Sequence, residues 1–310
     1  MSVVIIPVSV IIPTANRAAV LAATLASIAN QNLLPQEIII VDASVSNDTA
    51  NICKTSTVLN IKYVIATQKG AAVQRNQGID EATTDYIFFM DDDIDLAPGC
   101  IEKIWQCVQS DATVGAVNAM ITNQKYHTPG TVTKWMYRLM HGKKLNTYAG
   151  KCIGPAWNLL PQDDDSLPEY QAMEWLNTTC TLYRKQALPQ PAFSSHFTGY
   201  SLMEDVTLSL IVGRQWKLYN ARTASIFHNS QPGEHKNNIV QTACMQLVNR
   251  YYVMTAVMHK KKIIDHVKLF LFELFNVITS LANNKGRKEF VAAVWGRCKA
   301  VVVIASKKHS

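Results

Sequence analysis

The sequence predicts an α/β fold in which a mostly parallel sheet is flanked by helices on both faces. Short apolar runs alternate with helical segments from residue 8 to residue 121, and this order is typical of parallel sheets. Of the 310 residues, 48% are apolar and only 17% are charged, so the chain can bury a substantial core.

Each predicted strand of this region is a run of apolar, often β-branched residues between polar or turn-forming ones. The predicted strands are Val8–Ile12, Glu37–Val41, Ile61–Ala66, Tyr86–Met90 and Val114–Ile121. The predicted helices cover about Arg17–Asn30, Asn47–Ser56, Ala71–Glu81 and Pro98–Ser110. We expect Thr14 or Asn16 to cap the first helix, and Pro98 to begin the last one, because proline is tolerated in a first helical turn.

The second half of the chain departs from this alternation. Residues 122–174 contain turn-forming pairs such as Pro129-Gly130, which predict loops and short helices over the edge of the sheet. Regular structure is predicted again at Glu174–Tyr183, in a helix over Glu204–Val212, and in strands at Lys217–Tyr219 and Ser225–His228. From about Asn237 onward the pattern is helical throughout.

Three adjacent carboxylates, Asp91-Asp92-Asp93, follow directly after the apolar strand Tyr86–Met90. Open α/β sheets bind their ligands at the carboxyl ends of such strands. Like charges held together raise one another's pKa unless a cation screens them, and a divalent ion carrying a substrate phosphate is the cation we expect. The alternative is an acidic surface turn.

Two further strand ends carry polar residues of the kind that bind nucleotides. Asp42 ends the run Ile38–Val41 and can accept hydrogen bonds from a base or ribose, or it can cap the following turn. The segment Pro13–Arg17 follows the first strand. It can hold a base through its backbone with Arg17 on a phosphate, and it can equally cap the first helix.

Three other positions have both a functional and a structural interpretation. Arg75 lies among small residues and can pair with a diphosphate or with the aspartates. Glu204-Asp205 begins a helix, where acidic residues are favourable in any case, and it gains weight only as a second acidic site. His228 ends a short strand and can bind a metal or phosphate, or form a structural hydrogen bond.

Four of these motifs, in this order and at this spacing, resemble those of the inverting nucleotide-sugar glycosyltransferases of family 2, which have the GT-A fold. They are Val8–Arg17, Glu37–Asp42, Gly70–Gly78 and Asp91-Asp92-Asp93. Glu204-Asp205 and His228 resemble the second half of that family. The resemblance covers about residues 6–230 and implies a GT-A type, Rossmann-like domain with a mostly parallel mixed sheet and a helical C-terminal extension.

The resemblance also implies roles for individual residues. The nucleotide would be bound by Pro13, Thr14, Arg17, Asp42, Arg75, Asp91 and Asp92. The DXD-type element, Asp91, Asp92 and Asp93 together with His228, would bind Mn²⁺ or Mg²⁺ on the diphosphate. Asp205, with Glu204 beside it, would act as the general base. The segment Asn177–Cys180 stands where the family usually has a glycine-rich acceptor segment.

The implied activity is that of an inverting glycosyltransferase of the hexosyltransferase type. Its donor would be a nucleotide sugar, most often a UDP sugar in this family, and its acceptor a hydroxyl of a glycan or of a lipid-linked molecule. The expected domains are a catalytic domain over residues 1–235, with a nucleotide-binding half at 1–121 and an acceptor half at 122–235, and a helical extension at 236–310.

Two other functions stay open at this point. A sugar nucleotidyltransferase would share the sheet and the metal, but it normally has a glycine-rich loop after the first strand, where this chain has Thr14–Arg17. A non-catalytic relative would retain the fold and bind a sugar or a partner, and the intact acidic motifs argue against it.

The tail combines apolar and basic residues. Lys260-Lys261-Lys262 precedes the apolar stretch Ile263–Leu281, and Lys285-Gly286-Arg287-Lys288 follows it. This pattern predicts an amphipathic helix on an anionic membrane, or else a helix packed on the catalytic domain or on a second subunit of an oligomer. The apolar content makes nucleic acid a less suitable partner than lipid.

The cysteines and the N-terminus predict where the protein acts. Seven scattered cysteines without a CxxC pair indicate reduced thiols rather than a zinc site. The first apolar run contains Pro7 and has no basic residues before it, so a strand is expected there rather than a signal peptide. We therefore expect a cytoplasmic protein with peripheral contact to the inner face of the cell membrane.

Overall fold

The computed structural model describes residues 4–56, 58–197, 201–231 and 238–307. It divides the chain into two compact units. The sheet unit contains residues 1–126 and 160–231, and the helical unit contains residues 127–159 and 232–310. The sequence predicted a boundary near residue 235, whereas the structure groups residues 127–159 with the C-terminal helices.

The sheet unit contains a nine-stranded sheet within the described residues. The strands are β1 Val4–Thr14, β2 Leu33–Asp42, β3 Ile61–Ile65, β4 Tyr86–Met90, β5 Ile94–Leu96, β6 Val114–Ile121, β9 Tyr170–Ala172, β10 Cys180–Arg184 and β11 Lys217–His228. Two short strands of the helical unit, β7 Cys152–Ile153 and β8 Trp157–Asn158, pair with each other. The order in the large sheet is β3-β2-β1-β4-β10-β6-β11-β5, with β9 paired to β11.

The parallel register places three strand ends at one edge of the sheet. Strand β1 runs parallel to β2 and to β4, and Thr14 lies opposite Asp42. Because β4 ends at Met90, the three aspartates that follow it leave the sheet at this same edge. Strand β10 is antiparallel to β4 and β6, so the sheet is mixed, as the resemblance implied.

The helices of the sheet unit lie mostly where the sequence predicted them. They are α1 Ala18–Ala29, α2 Asp48–Thr55, α3 Ala71–Glu81, α4 Cys100–Ser110 and α6 Glu204–Val212. The predicted cap of α1 is wrong, because no side chain caps this helix. Thr14 donates instead to Asp92 at 2.6 Å, and Asn16 accepts the Val45 N–H at 3.0 Å.

Other predicted boundaries also need correction. Helix α4 begins two residues after Pro98, because Gly99 precedes it in a left-handed conformation with φ +74°. The two short strands predicted between residues 217 and 228 are one strand, β11, with a register irregularity between Ala221 and Ser225. Within the predicted segment Glu174–Tyr183, the strand begins only at Cys180.

The helical unit contains four helices within its described residues, besides the paired strands β7 and β8. The helices are α5 Thr131–His141, α7 Ile239–Tyr252, α8 Ile263–Ser280 and α9 Asn284–Lys307, with a π-helical turn at Val253–Val257 after α7. Phe272 of α8 is fully buried in a cluster with Met136, Tyr137 and Met140 of α5. No helix in the described part of the chain has the length and apolar character needed to cross a membrane.

Close packing of α3 against β1 depends on one glycine. A Cβ atom built on Gly78 would lie 2.4 Å from Cγ2 of Ile11, whose side chain is fully buried. Because Ile11 is β-branched and surrounded by the sheet, it has little freedom to move away. The absence of a side chain at Gly78 therefore sets the distance between helix and sheet.

We expect Gly78→Ala to lower the melting temperature, since overpacking a core costs about 1–3 kcal/mol and exceeds the gain of up to about 1 kcal/mol in helix propensity. Gly130→Ala is the matched control, because nothing lies within 4 Å of its added Cβ. Thermal unfolding of both variants measures the difference. Equal melting temperatures would contradict the close approach at Gly78.

Candidate active site

The acidic residues after β4 are anchored by backbone hydrogen bonds on both sides. The Asp91 N–H donates to the Thr179 carbonyl at 2.9 Å, and the Asp93 carbonyl accepts the Asn229 N–H at 2.8 Å. Thr24 of α1 donates its hydroxyl to the Asp92 carbonyl at 2.8 Å. The acidic loop is thus fixed by the residue before β10, by the segment after β11, and by α1.

Asp91, Asp93 and His228 form a group with the composition of a metal site. One potential ligand atom from each lies within 4.8 Å of the other two. His228 Nε2 is 3.0 Å from Asp93 Oδ1, and its Nδ1 is 3.3 Å from the Gln124 side chain. Carboxylate oxygens and imidazole nitrogen are suitable donors for a divalent cation such as Mn²⁺.

Asp92 is not part of this group. Its Oδ2 accepts the Thr14 hydroxyl at 2.6 Å, and its Oδ1 lies 3.2 Å from the Arg17 guanidinium. Burial raises its pKa to about 6, although the hydrogen bond from Thr14 and the charge of Arg17 act in the opposite direction. Of the four residues predicted as metal ligands, the structure therefore brings together three and leaves Asp92 outside.

Asp93 is held in its ionised form. Burial alone would raise its pKa, but the hydrogen bond and charge of His228, with further contributions from the Gln231 N–H and from Arg17, place the pKa below the ordinary value. The Gln231 N–H lies 3.3 Å from Asp93 Oδ2, and Arg17 lies 3.6 Å from the same oxygen. A carboxyl group binds a metal ion in its ionised form, so a lowered pKa suits Asp93 as a metal ligand.

Arg75 connects the two acidic motifs. Its guanidinium donates to Asp91 Oδ1 at 2.7 Å and lies 3.4 Å from Glu204 Oε1. Its side chain is only 4% exposed and packs over the ring of Phe193 at 5.7 Å. The sequence predicted that Arg75 pairs with the aspartates or with a diphosphate. The structure shows the pairing with Asp91, and the role in nucleotide binding stays a prediction.

Glu204 and Asp205 lie in the first turn of α6. The Val206 N–H donates to Asp205 Oδ1 at 2.7 Å, and the Glu204 side chain is 12% exposed. Burial raises the pKa of both carboxyls, and Arg75 opposes that rise. These groups can therefore accept or release a proton closer to neutral pH than an exposed carboxylate can.

Asp42 is buried and fully engaged at the end of β2. Its Oδ1 accepts the Ser44 N–H at 2.9 Å, and its Oδ2 accepts the Tyr63 hydroxyl at 3.0 Å. The turn cap, one of the two roles considered for Asp42, is present. Its nucleotide contact stays a prediction, as do those of Pro13 and Thr14, which lie opposite Val41 and Asp42 in the sheet.

Two buried polar residues were missed by the sequence reasoning. Gln74 donates to the carbonyls of Thr14 and Val41, at 2.9 and 2.7 Å, and so ties the ends of β1 and β2 together. Thr24 supports the acidic loop, as described above. Thr24 could have been found from the sequence because it is a polar residue on the apolar face of α1, three residues after Leu21.

A family model described as "Glycosyl transferase family 2" matches residues 9–188, which is more than half of the chain. Among curated proteins, a GalNAc(5)-diNAcBac-PP-undecaprenol beta-1,3-glucosyltransferase of Campylobacter jejuni is 33% identical over 102 residues, covering 32% of this chain and 33% of the relative. The chondroitin synthase of Escherichia coli is 33% identical over 122 residues, covering 38% and 17%. These alignments span a third or less of the length of either relative.

Solved structures share the fold at low sequence identity. The mannosyltransferase PcManGT of Pyrobaculum calidifontis, in complex with GDP-Man and Mn²⁺, has a TM-score of 0.55 at 13% identity, over 95% of this chain and 87% of that one. Residues 1–349 of TarS of S. aureus, in complex with UDP-GlcNAc, have a TM-score of 0.53 at 13% identity, over 93% and 79%. GalNAc-T7 with UDP, GalNAc and Mn²⁺ has a TM-score of 0.54 at 12% identity, over 81% and 47%.

These likenesses confirm the α/β fold of GT-A type with a helical C-terminal region that the sequence predicted. The family model extends from β1 through β10 and includes the acidic loop and Arg75. The chain belongs to glycosyl transferase family 2.

Proposed function

We propose that this protein is an inverting, metal-dependent glycosyltransferase. It moves a sugar from a nucleoside-diphosphate sugar to a hydroxyl of a glycan or lipid-linked acceptor. The observation that carries the proposal is the presence of two distinct acidic sites joined by one buried arginine. Asp91, Asp93 and His228 form the first site, Glu204 and Asp205 form the second, and Arg75 contacts one carboxylate of each.

The donor is a nucleotide sugar, for which the structural relatives give support. PcManGT carries GDP-Man, TarS carries UDP-GlcNAc, and GalNAc-T7 carries UDP with GalNAc. We propose UDP as the nucleotide here, since UDP sugars are the most common donors in family 2. Pro13, Thr14, Arg17 and Asp42 lie at the carboxyl edge of the sheet, where open α/β sheets bind such ligands.

The side chains of this site have the donor atoms that a divalent cation needs. Asp91, Asp93 and His228 would bind the cation, and an imidazole in the set favours Mn²⁺ over Mg²⁺. When bound, the cation stabilises negative charge on the departing diphosphate. Asp92 has another role, because it receives hydrogen bonds from Thr14 and Arg17 and so orients the loop proposed to bind the nucleotide.

Asp205 is the general base of the proposed reaction. It accepts the proton of the acceptor hydroxyl as that oxygen forms a bond to the anomeric carbon. The bond from this carbon to the diphosphate breaks on the opposite face, and the electron pair leaves with the nucleoside diphosphate. One such displacement inverts the anomeric configuration, and a raised pKa suits a base that works near neutral pH.

The acceptor is a glycan or a lipid-linked molecule. One relative is named for a PP-undecaprenol acceptor and another is a chondroitin synthase. Both names describe molecules that carry sugar hydroxyls. We propose a lipid-linked sugar as the acceptor class to test first.

Asp93→Ala is expected to weaken UDP binding in the presence of Mn²⁺ by at least about tenfold, because it removes a charged ligand of the proposed metal site. Calorimetric titration with UDP, with Mn²⁺ and with a chelator, measures the loss. Asp95→Ala is the matched control, since Asp95 is exposed two residues away. Parental affinity in Asp93→Ala with Mn²⁺ would reject the metal assignment.

Asp205→Asn should lower sugar transfer by at least about a hundredfold while donor binding stays at the parental level, because an amide cannot accept the acceptor proton. A transfer assay and a nucleotide-sugar titration on the same preparation separate the two effects. Near-parental turnover would remove Asp205 from the role of base.

Arg75→Gln should move the ascending limb of the pH–rate profile to higher pH. The parent already needs a deprotonated carboxyl whose pKa is raised by burial, and Arg75 lowers that pKa through its positive charge. Loss of the charge raises the pKa further, so less of the base is ionised at neutral pH. Arg75→Lys retains the charge and should recover part of the shift, and an unchanged limb in Arg75→Gln would contradict the coupling.

A further inference from the structure

Helix α8 has two apolar faces on opposite sides. Its inner face contains Leu269 and Phe272, which are buried within the helical unit. Its outer face, extended by the residue that follows the helix, consists of large apolar side chains that are 36–84% exposed: Ile263, Ile264, Val267, Phe270, Leu271, Leu274, Ile278 and Leu281. At 3.6 residues per turn these positions share one side of the helix, away from Phe272.

The inner face is fixed by packing and by charge. Glu273 forms ion pairs with Arg250 of α7 and with Arg297 of α9, the second at 2.8 Å. Arg250 also lies over the ring of Trp157 at 5.0 Å. Because these contacts hold α8 along the unit, the helix cannot rotate to bury its outer face, and the apolar stripe stays at the surface.

Basic residues stand at both ends of the stripe. Lys261 and Lys262 precede the helix, and Lys285, Arg287 and Lys288 follow it; all five are exposed. Asp265, the acidic residue of the first turn, accepts the backbone N–H of Lys262 at 3.0 Å. The outer face therefore combines an uncharged apolar centre with cationic ends.

This charge distribution distinguishes between two occupants of the face. A second copy of the chain, paired through the same stripe, would bring basic ends together in either orientation of the two helices, since both ends are basic. An anionic bilayer surface offers opposite charge to both ends and an apolar interior to the centre.

Helix α5 adds a second exposed apolar stripe to the helical unit. Val132, Trp135 and Leu139 follow at helical spacing and are 40–68% exposed. Tryptophan is favoured at the boundary between lipid headgroups and acyl chains. Helix α5 contacts α8 through the Lys268 ammonium, which donates to the Met140 carbonyl at 3.2 Å.

We propose that the outer face of α8 is a membrane-docking surface, on which the protein lies against an anionic bilayer with the helix axis parallel to the bilayer plane. The apolar side chains enter the boundary between headgroups and acyl chains. The flanking lysines and Arg287 contact anionic headgroups. This membrane binding requires neither the nucleotide-sugar donor nor the metal. It can therefore be tested separately from the proposed sugar transfer.

The test is co-sedimentation of the full chain with phosphatidylcholine vesicles that contain about one quarter phosphatidylglycerol. We expect the double variant Phe270→Ser/Leu274→Ser to lower the partition coefficient at least about tenfold. Val58→Ser is the matched control, because Val58 is 62% exposed in the sheet unit and should leave binding unchanged. Vesicles of phosphatidylcholine alone, and high salt, should weaken binding of the parent.

A second variant keeps the result interpretable if the serine substitutions disturb folding. Lys261→Gln/Lys262→Gln/Lys285→Gln/Lys288→Gln leaves the apolar face intact and should lower binding to anionic vesicles at least about tenfold, since each cation near the surface contributes separately. Melting temperature and UDP binding serve as folding controls. Parental co-sedimentation by both variants would overturn the proposal. So would a parent that forms a dimer, does not bind vesicles, and becomes monomeric in the serine variant.

Discussion

The arrangement of the site depends on the burial of several carboxyl groups close to one another. Asp91, Asp92, Asp93, Glu204 and Asp205 share one edge of the sheet with two arginines as cations. Burial raises the pKa of Asp92, Glu204 and Asp205, and the charges of Arg17 and Arg75 oppose that rise only in part, while His228 and neighbouring donors hold the pKa of Asp93 below its ordinary value. The protein thus separates carboxyls that can carry a proton from one that is held charged, and the charged one lies in the group suited to a metal.

Close packing converts this electrostatic requirement into fixed geometry. Gly78 lets α3 approach β1, and Arg75 lies one turn earlier on the same helix. Strand β4 is the neighbour of β1, so the carboxylate that follows β4 comes within 2.7 Å of the arginine. Because the guanidinium also lies near Glu204, the spacing between helix and sheet determines how the two acidic sites influence each other. A substitution that changes this packing is therefore also a change in the electrostatics of the site.

The elements that could be predicted from the sequence are those in which local pattern and tertiary structure agree. Strand Tyr86–Met90, strand Val114–Ile121 and helix Ala71–Glu81 begin and end where the apolar pattern indicated. The failures arise where a side chain has a distant partner. Thr14 could not be assigned to Asp92, 78 positions away, from a local capping rule. For the same reason, nothing in the run of three aspartates indicated that the middle one would lie outside the group that the other two form with His228.

Helix α8 shows the limit of sequence reasoning in another form. Its sequence predicts an amphipathic helix, but the pattern does not choose between a membrane, the rest of the chain and a second subunit as the partner of the apolar residues. The structure shows which side is already used, because Glu273 and Phe272 contact the rest of the unit while the face between the basic clusters is exposed. Membrane docking there would also suit a lipid-linked acceptor. Such a substrate diffuses in the plane of the bilayer, so a tethered enzyme meets it at a raised effective concentration without any added affinity at the active site.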